Sequence, residues 1–186
     1  MNYIRFTYKK LKSILFKSIF LFLFPVILLF AQDRGDHKHH TMKDSTLMHR
    51  QNMIHSRSPM VMPFDMSKVT HYFIKTENGG VLEIKSKDVN DKTQISLIRK
   101  HLEKERVLFS NADFRDPKTL HGKNMPGLKI LSESGKKYKV GYKELPAGAS
   151  LTFVSKDSTV VNAIHKWFDA QLKDHGKDAK SHEDTR

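Results

Sequence analysis

The sequence predicts an α+β fold: a two-layer sandwich in which two β-hairpins make one antiparallel sheet and helices cover one of its faces, in the order ββα-ββα. Three observations lead there. Two stretches, KVTHYFIKTENGGVLEIKSKD and KKYKVGYKELPAGASLTFVSK, alternate apolar and polar residues on either side of turn-forming residues. Each is followed by a segment whose apolar residues recur at helical spacing. The halves also echo one another, because SKD precedes both helical segments and IRKHL in the first is matched by IHKWF in the second.

The first hairpin is expected to turn at Asn78-Gly79, a dipeptide suited to positive φ. That loop sets Phe73 opposite Ile84 and His71 opposite Ser86, with His71 on the apolar face beside Phe73, Leu82 and Ile84. A slip of one residue would turn His71 to the other face. The next helix starts near Asp91, with Gln94 three residues on as in a capping box. Its core face carries Ile95, Ile98, Leu102 and Phe109, widened by Leu97, His101 and Leu108, and Glu105 lies one turn beyond His101. SNADFRDPKTLHGKNMPG reads as a loop, followed by a short helical piece around Leu128 to Ser134. The second hairpin alternates Tyr138, Val140 and Tyr142 with lysines and glycine and turns through PAGA. The last helix, Ser158 to Lys173, has the stripe Val161, Ile164, Phe168 and Leu172, with His165 and His175 inside it and Asp169 four residues after His165. Gly176 is the expected C-cap, so the domain spans 63–176 and residues 177–186 form a disordered tail.

What precedes the domain divides in two. MNYIRFTYKKLK is basic, and an apolar run follows that closes at Ala31, the pattern of a secretory signal over residues 1–31 with cleavage after Ala31. An uncleaved anchor is the alternative, and the only route to a membrane. The expected location is therefore the periplasm or the exterior. The remaining chain has 28 Lys and Arg against 20 Asp and Glu, interspersed rather than blocked, which together with export argues against a nucleic-acid partner. With no cysteine, neither disulfides nor a lipidated cysteine contribute.

Residues 32–62 lack apolar periodicity and are rich in His, Met, Ser and charge; a disordered arm is expected. Six of the eight methionines fall between Met42 and Met66. Thioethers suit Cu(I) or Ag(I), whereas imidazoles suit Cu(II), Zn and Ni. The arm therefore supplies His37, His39, His40, Met42, Met48, His49, Met53 and His55 as candidate metal ligands. In the domain, His71, His101, His121, His165 and His175 form a second set, with Met125 beside His121 in HGKNM and Asp169 placed to orient His165. Their spacing matches no zinc pattern. Copper is the expected ligand, with silver, zinc or nickel as alternatives. Inward histidines could instead serve a small-ligand or acid–base site through His165 with Asp169 or His101 with Glu105. No nucleophile accompanies them, since cysteine is absent and no serine stands in a Gly-x-Ser-x-Gly context. A protein-interaction module using Tyr138, Tyr142 and Trp167 is a third class.

The runs MPFDMSKVTHYF, DFRDPKTLHGKNMPGL and AIHKWFDAQLKDHG, within residues 62–178, resemble a family of small bacterial proteins often labelled aspartate carbamoyltransferase. The resemblance implies that equivalents of His71, His101, His121, His165 and His175 recur there, and that many relatives carry a second histidine where Tyr72 stands. An enzyme of that name would need two α/β domains and a helix start reading Ser-Thr-Arg-Thr. Here Ser45-Thr46 runs into Leu47, and Ser158-Thr159 into Val160. No catalytic residue is carried across, and binding is expected rather than catalysis.

Overall fold

A computed structural model describes residues 36–181, with side chains described from Asp44 onward. The expected signal segment 1–31 and residues 182–186 lie outside the described residues. The described residues form one unit of α+β structure. Its strands are β1 (Val69–Thr76), β2 (Gly79–Ser86), β3 (Tyr138–Leu145), β4 (Gly148–Ser155) and the short β5 (Ala179–Lys180). Its helices are α1 (Asp36–Arg57), α2 (Lys92–Ser110), α3 (Arg115–His121), α4 (Leu128–Glu133) and α5 (Ser158–His175).

The two hairpins join through an antiparallel β2–β4 pairing, giving the sheet order β3-β4-β2-β1-β5. The β1–β2 turn is Glu77-Asn78 rather than Asn78-Gly79, so Phe73 faces Leu82 and His71 faces Ile84. This register differs from the expected one by two residues, an even number, so His71 keeps its inward face and is 2% exposed. Gly79 explains the shift. It begins β2 at φ 151°, and a Cβ there would collide with the carbonyl of Phe153 on β4. That glycine is needed where two strands meet closely, and the turn forms one step earlier.

The helices end as their sequences dictate. Asp91 caps α2 by accepting the Gln94 N–H (3.0 Å), but the Gln94 side chain accepts from the Asp65 backbone (2.9 Å) and so pins the domain's entry instead of completing a capping box. Asp157 caps α5, and Gly176 ends it at φ 56°. α5 is turned from its expected orientation. Val160 rather than Val161 leads the buried stripe, which continues through Ala163, Ile164, Trp167 and Phe168 to Gln171, Asp174 and His175. Phe109, Phe114, Phe153 and Phe168 surround Trp167 at centroid distances of 5.4–5.6 Å, and Tyr138 donates its hydroxyl to the Phe109 carbonyl (2.8 Å). Trp167 and Tyr138 are thus core residues, not anchors for a partner.

Two segments differ from a disordered arm and a frayed tail. Residues 36–57 are helical; Ile54 is buried, and α1 is held on α5 and the segment after it through polar contacts. Arg50 grips Asp174, Gln51 donates to the Lys173 carbonyl (2.9 Å), and His55 lies 3.3 Å from Asp178. The amphipathic signal is missing from the sequence because α1 docks mainly by polar groups on a chain otherwise poor in apolar residues. At the other end, β5 adds in parallel to β1, His71 pairing with Ala179, and Asp178 is 2% exposed beside Lys87 (3.1 Å). The expected loop after α2 also contains α3, whose first turn carries Asp116 and Pro117. No helix of the described residues is long and apolar enough to cross a membrane.

If α1 is part of the fold, Ile54→Ala will lower unfolding free energy by about 2–4 kcal/mol, the cost of deleting a buried aliphatic side chain. A urea titration reads this directly, and an unchanged midpoint would return residues 36–57 to a free arm.

Candidate histidine site

β1, α2, α3 and α5 bring four histidines around one small cavity of about 50 Å³ between the sheet and the helices. His71 enters from β1, His101 from α2, His121 from the end of α3 and His175 from the end of α5. The rings of His71 and His175 stack at 4.6 Å with 15° between planes, and His121 meets His175 edge-on at 5.1 Å. His101 lies on the far wall, edge-on to Phe64 at 5.4 Å. Met62, Glu105 and Asp116 complete the polar and sulfur lining.

Each ring has a distinct hydrogen-bond state. His121 Nδ1 donates to Asp174 Oδ2 (2.9 Å). Asp174 is held in turn by Arg50, Nε to Oδ1 at 2.5 Å and Nη2 to Oδ2 at 2.6 Å; Nη2 also reaches the His121 carbonyl (3.2 Å). His175 Nε2 donates to Gln171 Oε1 (3.2 Å), leaving Nδ1 as the lone pair, buried and without a hydrogen-bond partner among the described residues. Neither nitrogen of His71 makes a hydrogen bond of good geometry among the described residues, although the Asp178 backbone lies close enough to favour its protonated form.

Burial sets the charge states. It holds His71 down to about 3, helped by the nearby His101 and His121, and holds His101 down to about 4. His175 is depressed by burial and then by His71, His121 and His55. Glu105 moves the other way, to about 8, through burial and through its hydrogen bond to Asp116. Asp174 would be raised by burial, but the hydrogen bonds from His121 and Arg50 outweigh that and keep it below the usual carboxylate range. At neutral pH the imidazoles of His71, His101 and His175 are therefore neutral, beside a protonated Glu105.

Several expected ligands lie elsewhere. His165 is half-buried, its Nε2 directed to the carbonyls of Thr76 (3.0 Å) and Gly79 (2.9 Å); it fastens α5 to the first hairpin. Asp169 pairs with Lys75 and does not orient His165. The carboxylate–histidine pair that forms is Asp174 with His121, missed because the two are 53 residues apart. Met125 packs in the core and faces an outer cleft, while Met62 lines the cavity. On α1, Met48 and His49 are exposed, Met53 is half-buried and His55 faces Asp178. The side chains of His37, His39, His40 and Met42 are outside those described. Among the described residues no three His, Asp or Glu side chains converge as a ready metal centre. The stacking explains this in part: a ligated ion lies in its imidazole plane, and two nearly parallel planes 4.6 Å apart do not share one.

The titrations set a stability profile. For His71, His101 and His175 the unfolded chain binds more protons below the unfolded value of 6.5, so stability falls with acidification, by about 1.4 kcal/mol per pH unit for each. Glu105 is raised, so its contribution is full below 4.5 and is lost as pH rises toward 8, with a slope of about the same size. The sum is a maximum near pH 6.5. Urea midpoints from pH 4.5 to 8.5 will show it, Glu105→Gln removing the alkaline decline and His71→Leu making the acid decline shallower. A flat profile would mean that these groups are solvated.

Compared with protein-family models, curated proteins and solved structures, the chain matches none.

Proposed function

We propose that this is an exported protein that binds a soft or borderline transition metal, copper first, with silver, zinc or nickel as alternatives. The observation that carries this reading is the contiguous His71–His175–His121 cluster: all three rings are buried, His71 and His175 are held neutral, and the His71 nitrogens and His175 Nδ1 make no well-formed hydrogen bond among the described residues. An unpartnered buried polar atom costs roughly 1–3 kcal/mol, and a cluster of them is out of place in a purely structural core. Neutral imidazole is the ligating form. Asp174 on His121 is the arrangement that fixes a ligand's tautomer and raises its basicity. A cavity of about 50 Å³ suits an ion or a water, far below the roughly 300–1,000 Å³ of sites for organic molecules, which favours a metal over the small-ligand or acid–base alternative.

In this reading His175 turns out of the stack when metal enters, so that its Nδ1 and a His71 nitrogen approach one point. The helix α1 adds weaker sites, since His49 and Met53, four residues apart, lie one turn from each other. The three stretches that carry the family resemblance supply His71, His121 and His175 respectively, together with Asp116 and Asp174. Their shared feature is this cavity, and the reading needs no carbamoyl chemistry.

The test is an anaerobic Cu(I) titration of the full chain against a competing chelator, with Cu(II) and Zn(II) in parallel. Deleting residues 32–62 would strip Arg50 and Ile54 from the domain, so the arm is tested by substituting His37, His39, His40, Met42, Met48, His49 and Met53 instead. Loss of tight binding in His71→Leu/His175→Leu, with the arm variant retaining it, supports the core site; the reverse supports the arm. If the unaltered chain competes for none of the three ions, the metal reading is wrong.

A further inference from the structure

On the surface beside His121 and Asp174 lies a second hollow, open to solvent and about 560 Å³ in volume. It is bounded by Arg50 of α1, by Ala170, Lys173 and Asp174 of α5, and by the loop that joins α3 to α4. Its charges do not balance. Arg50 and Asp174 neutralise each other through two hydrogen bonds. Lys123 and Lys173 have no carboxylate in ion-pair reach among the described residues, which leaves the hollow at +2. Some lysines of the domain are answered by acids, Lys75 by Asp169, Lys87 by Asp178 and Lys104 by Asp116, but Lys100 and Lys156 line other hollows without such a partner among the described residues. What sets this hollow apart is that two unanswered lysines from different elements line it together.

The two lysines come from different elements and reach the same hollow, with the Asn124 side chain as a further donor. The loop presenting Lys123 and Asn124 is anchored at both sides. Met125 beside them is 5% exposed, its N–H bonds the Gly122 carbonyl (3.3 Å), and Gly127 turns at φ 79° because a Cβ would strike the Ala163 carbonyl of α5. The volume is in the range of small-molecule sites. Lysine ammonium groups act as point charges on phosphate, without the bidentate fork of arginine.

From this convergence we infer that the hollow binds a small dianion of the phosphate class, free or as the headgroup of a phosphorylated molecule, held between Lys123 and Lys173 with Asn124 donating to it. The inference is independent of metal binding, because neither lysine nor Asn124 belongs to the histidine cavity.

The experiment is an NMR titration of the metal-free full chain with inorganic phosphate at constant ionic strength, with acetate as the monoanion control. Phosphate is expected to shift the amides of residues 122–126 and 170–174 and to saturate with Kd at or below about 1 mM. Acetate should bind at least tenfold more weakly. Lys123→Gln/Lys173→Gln, both at exposed positions, should weaken phosphate at least tenfold while thermal unfolding stays unchanged. Vesicles of phosphatidylcholine with and without phosphatidate separate the two sources: sedimentation only with phosphatidate, lost in the double variant, assigns a lipid headgroup, and its absence assigns a soluble ligand. Equal response to acetate, no saturation, or an unaltered double variant would overturn the inference.

Discussion

The carboxylate of Asp174 is the point on which the arrangement turns. It sits near the C-terminal end of α5, 2% exposed, where the helix dipole disfavours a negative charge. It persists there because Arg50 takes both of its oxygens and His121 donates to one of them. A buried carboxylate stripped of either partner would be left uncompensated, at a cost of several kcal/mol. One side chain thereby fixes three elements at once: α1 docks on α5 through Arg50, the end of α3 is held through His121, and α5 must be oriented so that Asp174 faces inward. That same orientation carries His175 into the core and His165 out of it.

The histidines show the opposite balance. Three of them are held neutral by burial, and part of their polar surface is unpaired. Phe64, Phe73 and the imidazoles of His71 and His175 contact one another face to face or tilted, so the rings behave as aromatic packing. Leucine or phenylalanine would serve that purpose without unpaired nitrogens. The proposed metal reading accounts for those lone pairs, which packing alone leaves unused. Glu105 and Asp116 on the opposite wall extend the same argument, since a carboxyl that keeps its proton at neutral pH can lose it when positive charge arrives.

Legibility followed the range of the interaction. Alternation along β1–β4 and the helical spacing of α2 are local, and both hairpins and the order ββα-ββα were readable from them. His71 and His101 were also readable as inward, because each lies on an apolar repeat, whereas the same reasoning turned His165 inward along with His175 and only His175 is buried. The orientation of α5 was not: Val160 and Val161 are equivalent by composition, and only the packing of Trp167 against four phenylalanines decides between them. A one-residue rotation of that stripe exchanged His165–Asp169 for His121–Asp174 as the carboxylate–histidine pair. The docking of α1 and the pairing of β5 depend on a few contacts across more than a hundred residues, such as Arg50 with Asp174 and the register of His71 with Ala179. Nothing periodic announces such contacts. Met and His in a polar stretch then read as a loose arm although the segment is a docked helix.

Helical structure also changes what the His/Met segment can do. A flexible arm would gather ligands from anywhere along its length and lose chain entropy on doing so. A helix fixed at Arg50 and Ile54 offers only neighbours one turn apart, with most of its ordering already complete. Such pairs suit low coordination numbers and fast exchange more than tight retention. The same helix lies against α5 at the level of Asp174, where His55 faces Asp178 and contributes to the field at His175. Surface ligands and core histidines thus meet along one edge of α5. Arg50 on α1 and His121 at the end of α3 both hold Asp174, so any movement of α1 is felt at the edge of the histidine cavity.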